Sequence, residues 1–164
     1  MIHDPSLLSI RCKVNEAEVE LQVLPNLLLL DFLRDSLHLT AAKRGCDVQV
    51  CGACAVLVDG NPVSSCCYLA ADADGSELLT CEGLADGSRL SDLQHEFIAR
   101  GAFQCGYCTP GMLVTSTALL IEYPRPSRNQ LTHYMQGNLC RCTGYTKIVD
   151  AILAVAARRW SGQQ

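Results

Sequence analysis

Charge is scarce in this chain, and none of it is in basic excess. Only 18% of the 164 residues are Asp, Glu, Lys or Arg, and the formal net charge is −4. A nucleic-acid binder needs a basic patch to displace counterions from phosphates, so this balance speaks against that class of partner. It speaks equally against disorder, because 49% of the residues are apolar and a core can form. Long hydrophobic runs are missing too. The most apolar stretches, Leu27–Leu30 and Met112–Ile121, are too short to span a bilayer. Met1–Ser9 has no basic n-region, and no apolar h-region or twin-arginine pair accompanies it, which predicts a cytoplasmic location. No nucleophile stands with a base, and there is no phosphate loop or mononuclear metal triad. Cys-x-His pairs are absent, which excludes a Rieske centre. His3, His38, His95 and His133 lie outside every motif and read as surface or satisfied histidines.

Cysteine is what the chain has in abundance. Eleven is too many for packing alone and an odd number for a disulfide framework. In a reducing compartment, cysteines gathered in sequence act as metal ligands or redox groups more often than as bridges. Cys46, Cys51, Cys54, Cys66 and Cys67 lie together early; Cys105, Cys108, Cys140 and Cys142 lie together late. Cys12 and Cys81 stand alone. With Cys67 they read as small buried hydrophobes.

The small, polar stretch Glu82–Ser88 separates the two sets and marks a domain boundary, giving residues 1–84 and 85–164. The first part is strand-rich. Leu8, Ile10, Cys12 and Val14 alternate with polar neighbours, as do Val19, Leu21 and Val23, with Asn15-Glu16-Ala17 as a turn that lacks glycine. Asn26 is placed to cap a short helix burying Leu28, Leu29, Phe32 and Leu33. Cys54–Asp59 and Pro62–Cys66 flank a Gly60-Asn61 hairpin signal, and Leu78–Cys81 makes a last strand. This small α+β unit is similar to the β-grasp of plant-type ferredoxins. The second part is helical. Ser91 to Gln94 and Ser127 to Gln130 are capping boxes, and Gly101 closes the first helix. Thr109-Pro110 reads as a cap and first helical position, and Thr146 as the cap of a last helix burying Ile148, Ile152 and Val155. Four helices in this length predict a four-helix bundle.

The early spacing, Cys46-x4-Cys51-x2-Cys54-x11-Cys66, is that of a plant-type [2Fe–2S] loop. Such a loop wraps closely around an anionic core and must aim backbone N–H groups at it. Gly45, Gly52 and Ala53 are small enough to let the backbone approach. Neighbouring strand residues point to opposite faces, so only one of Cys66 and Cys67 can serve, and spacing alone leaves the choice open. The late set, Cys105-x2-Cys108 and Cys140-x-Cys142, flanks two helix starts. Their free N–H groups favour thiolates. This pattern alone fits a second cluster, a structural zinc or redox thiols.

Three segments go further: GCDVQVCGAC (Gly45–Cys54), QCGYCTPGM (Gln104–Met112) and GNLCRCTGY (Gly137–Tyr145), with LLDFLRDSLHLTAAKRGC (Leu29–Cys46) leading into the first. They resemble the iron–sulfur subunit of the molybdenum hydroxylases, the xanthine oxidase family, over about Leu8 to Ala157. The resemblance implies an α+β chain, a β-grasp ferredoxin-like domain followed by a four-helix bundle, with two [2Fe–2S] clusters. Their ligands would be Cys46, Cys51, Cys54 and Cys66, then Cys105, Cys108, Cys140 and Cys142. The match of Val63-Ser-Ser-Cys66 to the family's pattern is what selects Cys66. It further implies that Gln104 and Cys142 lie nearest a molybdopterin on a large partner subunit. FAD would sit on a medium subunit, in a dimer of heterotrimers. Three positions depart from the usual pattern: Gln49 in place of glycine, no glycine near Asn15, and Ala55 in place of threonine. Tyr107 and Tyr145, beside ligands, read as shields against water. The expected function is single-electron relay within an oxidoreductase complex, with no substrate turnover by this chain alone. A free-standing two-cluster ferredoxin and a zinc scaffold are the alternatives.

Overall fold

The computed structural model describes residues 6–161. His3 lies outside them. The period-two pattern at the start becomes β1 (Leu8–Val14) and β2 (Ala17–Val23), an antiparallel pair in register from Leu8 opposite Val23 to Val14 opposite Ala17. Ile10, Cys12 and Val14 are buried. On the edge strand β2 only Val23 is, and Leu21 stays exposed. Asn15 and Glu16 make the turn with φ of 48° and 71°. Left-handed backbone normally calls for glycine, but asparagine tolerates it. Here Asn15 also has a job: its side chain donates to Thr80 Oγ1 and accepts from Thr80 N, both at 2.9 Å.

Three further strands complete the sheet: β3 (Ala55–Val58), β4 (Asn61–Ser64) and β5 (Glu77–Leu79), in the order β2-β1-β5-β3-β4. β5 runs parallel to β1 and antiparallel to β3, so the sheet is mixed. The β3–β4 turn is Asp59-Gly60, one residue earlier than expected, with φ of 49° and 79°, and Asn61 already belongs to β4.

Two expectations fail here for tertiary reasons. Asn26 caps nothing. It sits in a turn closed by Leu27 N donating to Leu24 O, and α1 (Leu29–Asp31) starts from Leu28 with no side-chain cap. The helix widens at once into a π turn, Phe32–Ser36, burying Leu29, Leu30, Phe32 and Leu33 against the sheet. Leu28 is only half-buried and bridges to Leu69. Second, Cys66 and Cys67 are not in a strand. β4 ends at Ser64, and Ser65–Cys67 is a 3-10 turn.

From Asp92 onward the chain is helical: α2 (Asp92–Arg100), α3 (Thr109–Glu122), α4 (Arg128–Tyr134) and α5 (Thr146–Ser161). Both capping boxes form, at Ser91/Gln94 and Ser127/Gln130, and Gly101 closes α2 at φ 57°. α3 begins one residue earlier than expected, with Cys108 at the capping position and Thr109 as its first residue. α5 likewise includes Thr146 as its first residue. Leu93 and Phe97 of α2, Met112 and Leu119 of α3, Leu131 of α4, and Ile148, Ile152 and Val155 of α5 share one core. The ends of α2 and α5 are tied by ion pairs: Arg159 to Asp92 at 2.6 Å, and Arg158 to Glu96, which also holds Arg100.

The strand-rich and helical parts meet along β3 and α3, where Leu57 packs on Val114 and Ala118. Cys81, half-buried, contributes to this contact, and burial pushes its thiol up to about 11. Among the described residues no helix is long and apolar enough to cross a membrane.

Candidate metal centres

Three of the early thiols, Cys46, Cys51 and Cys54, are carried by the loop from Lys43 to Cys54, pinned at both ends. Lys43 N donates to Ala53 O at 2.9 Å, and Arg34 donates to the carbonyls of Thr40 and Ala42 at 2.8 and 2.7 Å. Arg44 pairs with Asp47 at 2.6 Å and with Asp31. Asp47 and Gln49 have φ of 55° and 59°. The loop therefore curls through left-handed backbone where glycine is usual, which is the physical content of the Gln49 departure. The curl turns N–H groups inward. Those of Val50 and Cys51 lie 3.4 Å from Cys46 Sγ. Together with the N–H of Val48 they bring the Cys46 thiol down to about 7. Gly45 leaves the room this needs, since a methyl group there would sit 2.8 Å from Cys51 Sγ.

The four thiols assigned to this site arrive as two pairs, Cys46 beside Cys51 and Cys54 beside Cys66. Cys54 and Cys66 are buried, and burial pushes the Cys54 thiol up to about 11. A buried thiol that resists ionisation is poor at holding a proton-free charge by itself, and a metal ion reverses that preference. Cys67, expected to be buried, is exposed, and its Sγ lies 3.7 Å from that of Cys66. The 3-10 turn accounts for the short spacing, because it does not send successive side chains to opposite faces. Cys12 is buried as expected.

The late thiols also pair. Cys105 and Cys142 have Sγ atoms 3.7 Å apart and are exposed; Cys108 neighbours Cys140, and both are half-buried. Burial pushes the Cys108 thiol up to about 12. For Cys140, burial acts against ionisation but is outweighed. The Thr143 hydroxyl at 3.1 Å and the N–H groups of Cys142 and Thr143 hold its thiol below the ordinary range. Tyr145 fixes this turn by accepting the Cys140 N–H on its hydroxyl at 2.8 Å.

The two sets are neighbours. A pocket of about 260 Å³ is lined by Gly45, Cys51 and Ala53 on one side and by Cys105, Cys108, Cys140 and Cys142 on the other. The loops touch through backbone carbonyls of the early one. Leu139 N donates to Cys51 O at 2.8 Å, the Asn138 side chain donates to Gly52 O at 3.2 Å, and Tyr107 OH donates to Arg44 O at 2.7 Å. A methyl group on Gly52 would lie 2.4 Å from Gly137 O, and one on Gly111 would lie 2.1 Å from Gly52 O. Sequence reasoning had no access to this seam, although Gly52, Gly111, Asn138 and Tyr107 all lie inside the cysteine motifs. Tyr107 is anchored across it with its ring half open to solvent. Gln104 is exposed on the late side, and His38, His95 and His133 are exposed away from either set.

Relatives share both halves. The family described as "2Fe-2S iron-sulfur cluster binding domain" matches residues 12–86, and that described as "[2Fe-2S] binding domain" matches residues 80–153. The nicotinate dehydrogenase small FeS subunit of Eubacterium barkeri is 52% identical over 128 residues, covering 78% of this chain and 82% of that one. The chain is an iron–sulfur subunit of the molybdenum hydroxylase family. The xanthine dehydrogenase iron-sulfur-binding subunit of Escherichia coli O157:H7 is 44% identical over 149 residues, covering 89% of this chain and 92% of that subunit. Among solved structures, a chain of quinoline 2-oxidoreductase from Pseudomonas putida 86 superposes with a TM-score of 0.90 at 44% identity, covering 96% of this chain and 99% of that one. Aldehyde oxidoreductase from Desulfovibrio gigas matches as well, at a TM-score of 0.90 and 38% identity, but the match takes up only 18% of its longer chain. As a family member this iron–sulfur subunit is a component of oxidoreductase complexes and carries two [2Fe–2S]-binding domains in an α+β fold.

Proposed function

We propose that this subunit relays single electrons from a molybdopterin site on a large partner subunit to FAD on a medium one, within a dimer of heterotrimers. Residues 1–84 are then a β-grasp ferredoxin-like domain and residues 85–164 a four-helix bundle. Cys46, Cys51, Cys54 and Cys66 would hold one [2Fe–2S] cluster, and Cys105, Cys108, Cys140 and Cys142 the other. Bound there, each cluster supplies a one-electron site, with a potential somewhere between about −700 and +450 mV.

The observation that carries this reading is the arrangement of the thiols. Each set is two pairs, which suits two metal ions with two thiolates apiece. A single zinc would need its four ligands around one point, about 2.3 Å from it. Among the described residues no three Cys, His, Asp or Glu side chains are grouped to hold one ion in that way. The backbone N–H groups aimed at Cys46 and Cys140 are the donors an anionic centre requires. The shared pocket puts Cys51 of one set against the other set, as a relay demands. Gln104 and Cys142 are exposed, which lets a pterin on a partner subunit reach them. Val48, Val50, Phe103, Tyr107 and Leu139 are exposed apolar or aromatic residues around the two cysteine loops, which suits burial against partner subunits.

The test is low-temperature EPR of the dithionite-reduced protein, with iron and zinc measured on the same sample. Two spin-half signals with different relaxation and about four irons per chain are expected. One signal, with zinc replacing half of that iron, would overturn the late assignment.

A further inference from the structure

Five thiols gather at the early site, one more than a [2Fe–2S] cluster needs. Cys66 and Cys67 are consecutive in the 3-10 turn Ser65–Cys67, and their Sγ atoms are 3.7 Å apart. Cys66 is buried beside Cys54. Cys67 is exposed and overhangs the same loop from outside. Its Sγ lies 3.6 Å from the carbonyl oxygen of Asp47, the residue after Cys46, and the N–H of Gln49 is directed at it. The other two cysteines outside the ligand sets are placed differently. Cys12 is packed in the sheet core, and Cys81 fills the contact between β3 and α3. Cys67 does no packing, since it is open to solvent, and an exposed free thiol is a liability unless it serves a purpose.

We propose that Cys67 is a reserve ligand of the early cluster, able to take the place assigned to Cys66. The proposal rests on the ligand reading above. In the exchange the iron–sulfur bond to Cys66 breaks and one to Cys67 forms. The proton leaving the Cys67 thiol passes to the departing Cys66 thiolate, and no electron is gained or lost. A change of χ1 rotamer carries the Cys67 sulfur most of the 3.7 Å between the two thiols, and a small shift of the short turn closes the rest. Ser65, buried and held by its hydroxyl on Cys54 O at 2.7 Å, keeps the turn against the loop during the change.

The experiment compares the full cluster-loaded chain with Cys66→Ala, Cys67→Ala and the double variant. Cys66→Ser is run alongside so that loss of buried volume does not decide the outcome. Iron per chain and the early EPR signal are read, with the late signal as the check on folding. Each single variant is expected to keep about four irons and both signals, the early one shifted in Cys66→Ala. The double variant is expected to lose the early signal alone, with iron falling about twofold. Loss of the early signal in both Cys66→Ala and Cys66→Ser overturns the reserve role and leaves Cys66 as sole ligand. Loss in Cys67→Ala overturns the assignment of Cys66 itself. An early signal that persists in the double variant overturns the ligand reading of this turn.

Discussion

At Gly111 a methyl group has nowhere to go. It would meet the carbonyl oxygen of Gly52 at 2.1 Å, and both partners are backbone that cannot swing aside. Gly111→Ala is therefore expected to destabilise the chain by about 1–3 kcal/mol, the range for overpacking, read as a lower urea midpoint with the slope unchanged. Gly60→Ala, where the added atom meets open space, isolates the cost of positive φ alone. The cysteines invite a different residue-scale test. Cys105 pairs with Cys142 and with no early thiol, so Cys105→Ala is expected to abolish the late EPR signal and leave the early one. Loss of both would mean that the two sites form only together. Much at this scale was legible in the sequence. The grouping of the thiols follows from cysteine spacing, which is local information, and the glycines in the loop announce close backbone approach. The turn at Cys66 and Cys67 was not legible, because a run of Val, Ser and Cys fits a strand as well as a 3-10 turn. What ends β4 at Ser64 is the hydroxyl of the next residue, Ser65, finding the Cys54 carbonyl across the site.

Helices α2 and α4 open with complete capping boxes, and both were readable for the same reason: donor and acceptor lie three residues apart. Ser91→Ala is expected to cost about 1 kcal/mol, measured by urea unfolding, and Ser127→Ala a similar amount. Asn26 shows the limit of such reading. It has the right side chain for a cap, but the turn before α1 is closed by Leu24 and Leu27, and the helix takes its start from a bridge between Leu28 and Leu69. The tie between α2 and α5 predicts an acid response. Arg158 and Arg100 hold the Glu96 carboxyl below its usual range, and Arg159 does the same for Asp92. These carboxyls keep their charge in the fold at a pH where the unfolded chain has begun to take up protons. Their contribution is full at neutral pH and is lost as pH falls through and below the ordinary carboxylate range. Glu96→Gln is expected to lower the melting temperature at neutral pH and to flatten its decline toward about pH 4, as followed by circular dichroism.

Taken whole, the molecule presents its thiol loops at a surface with apolar residues on it. Val48 and Val50 stand on the early loop, and Phe103 and Leu139 beside the late thiols. A freely diffusing ferredoxin would carry a charged docking face instead. Native material is expected to elute from size-exclusion at the mass of a multi-subunit complex, with iron, molybdenum and flavin in one peak. A lone monomer with both clusters intact would overturn the subunit reading. The α+β order, strands then helices, was visible from the alternation of the first part and the helix caps of the second. How the halves meet was not, because Leu57, Val114 and Ala118 look like any other core residues until β3 and α3 are side by side. The seam they support is built on the backbone at Gly52 and Gly111, with the Asn138 and Tyr107 side chains hydrogen-bonded to carbonyls across it. Electron tunnelling falls off exponentially with distance, so any joint that breathes makes a conductor whose resistance fluctuates. A joint of close-packed backbone, with its two bridging side chains held by hydrogen bonds, has little freedom to breathe. Such a joint holds the two sets of thiols at one spacing, so an electron crossing between centres held there would meet a nearly constant gap.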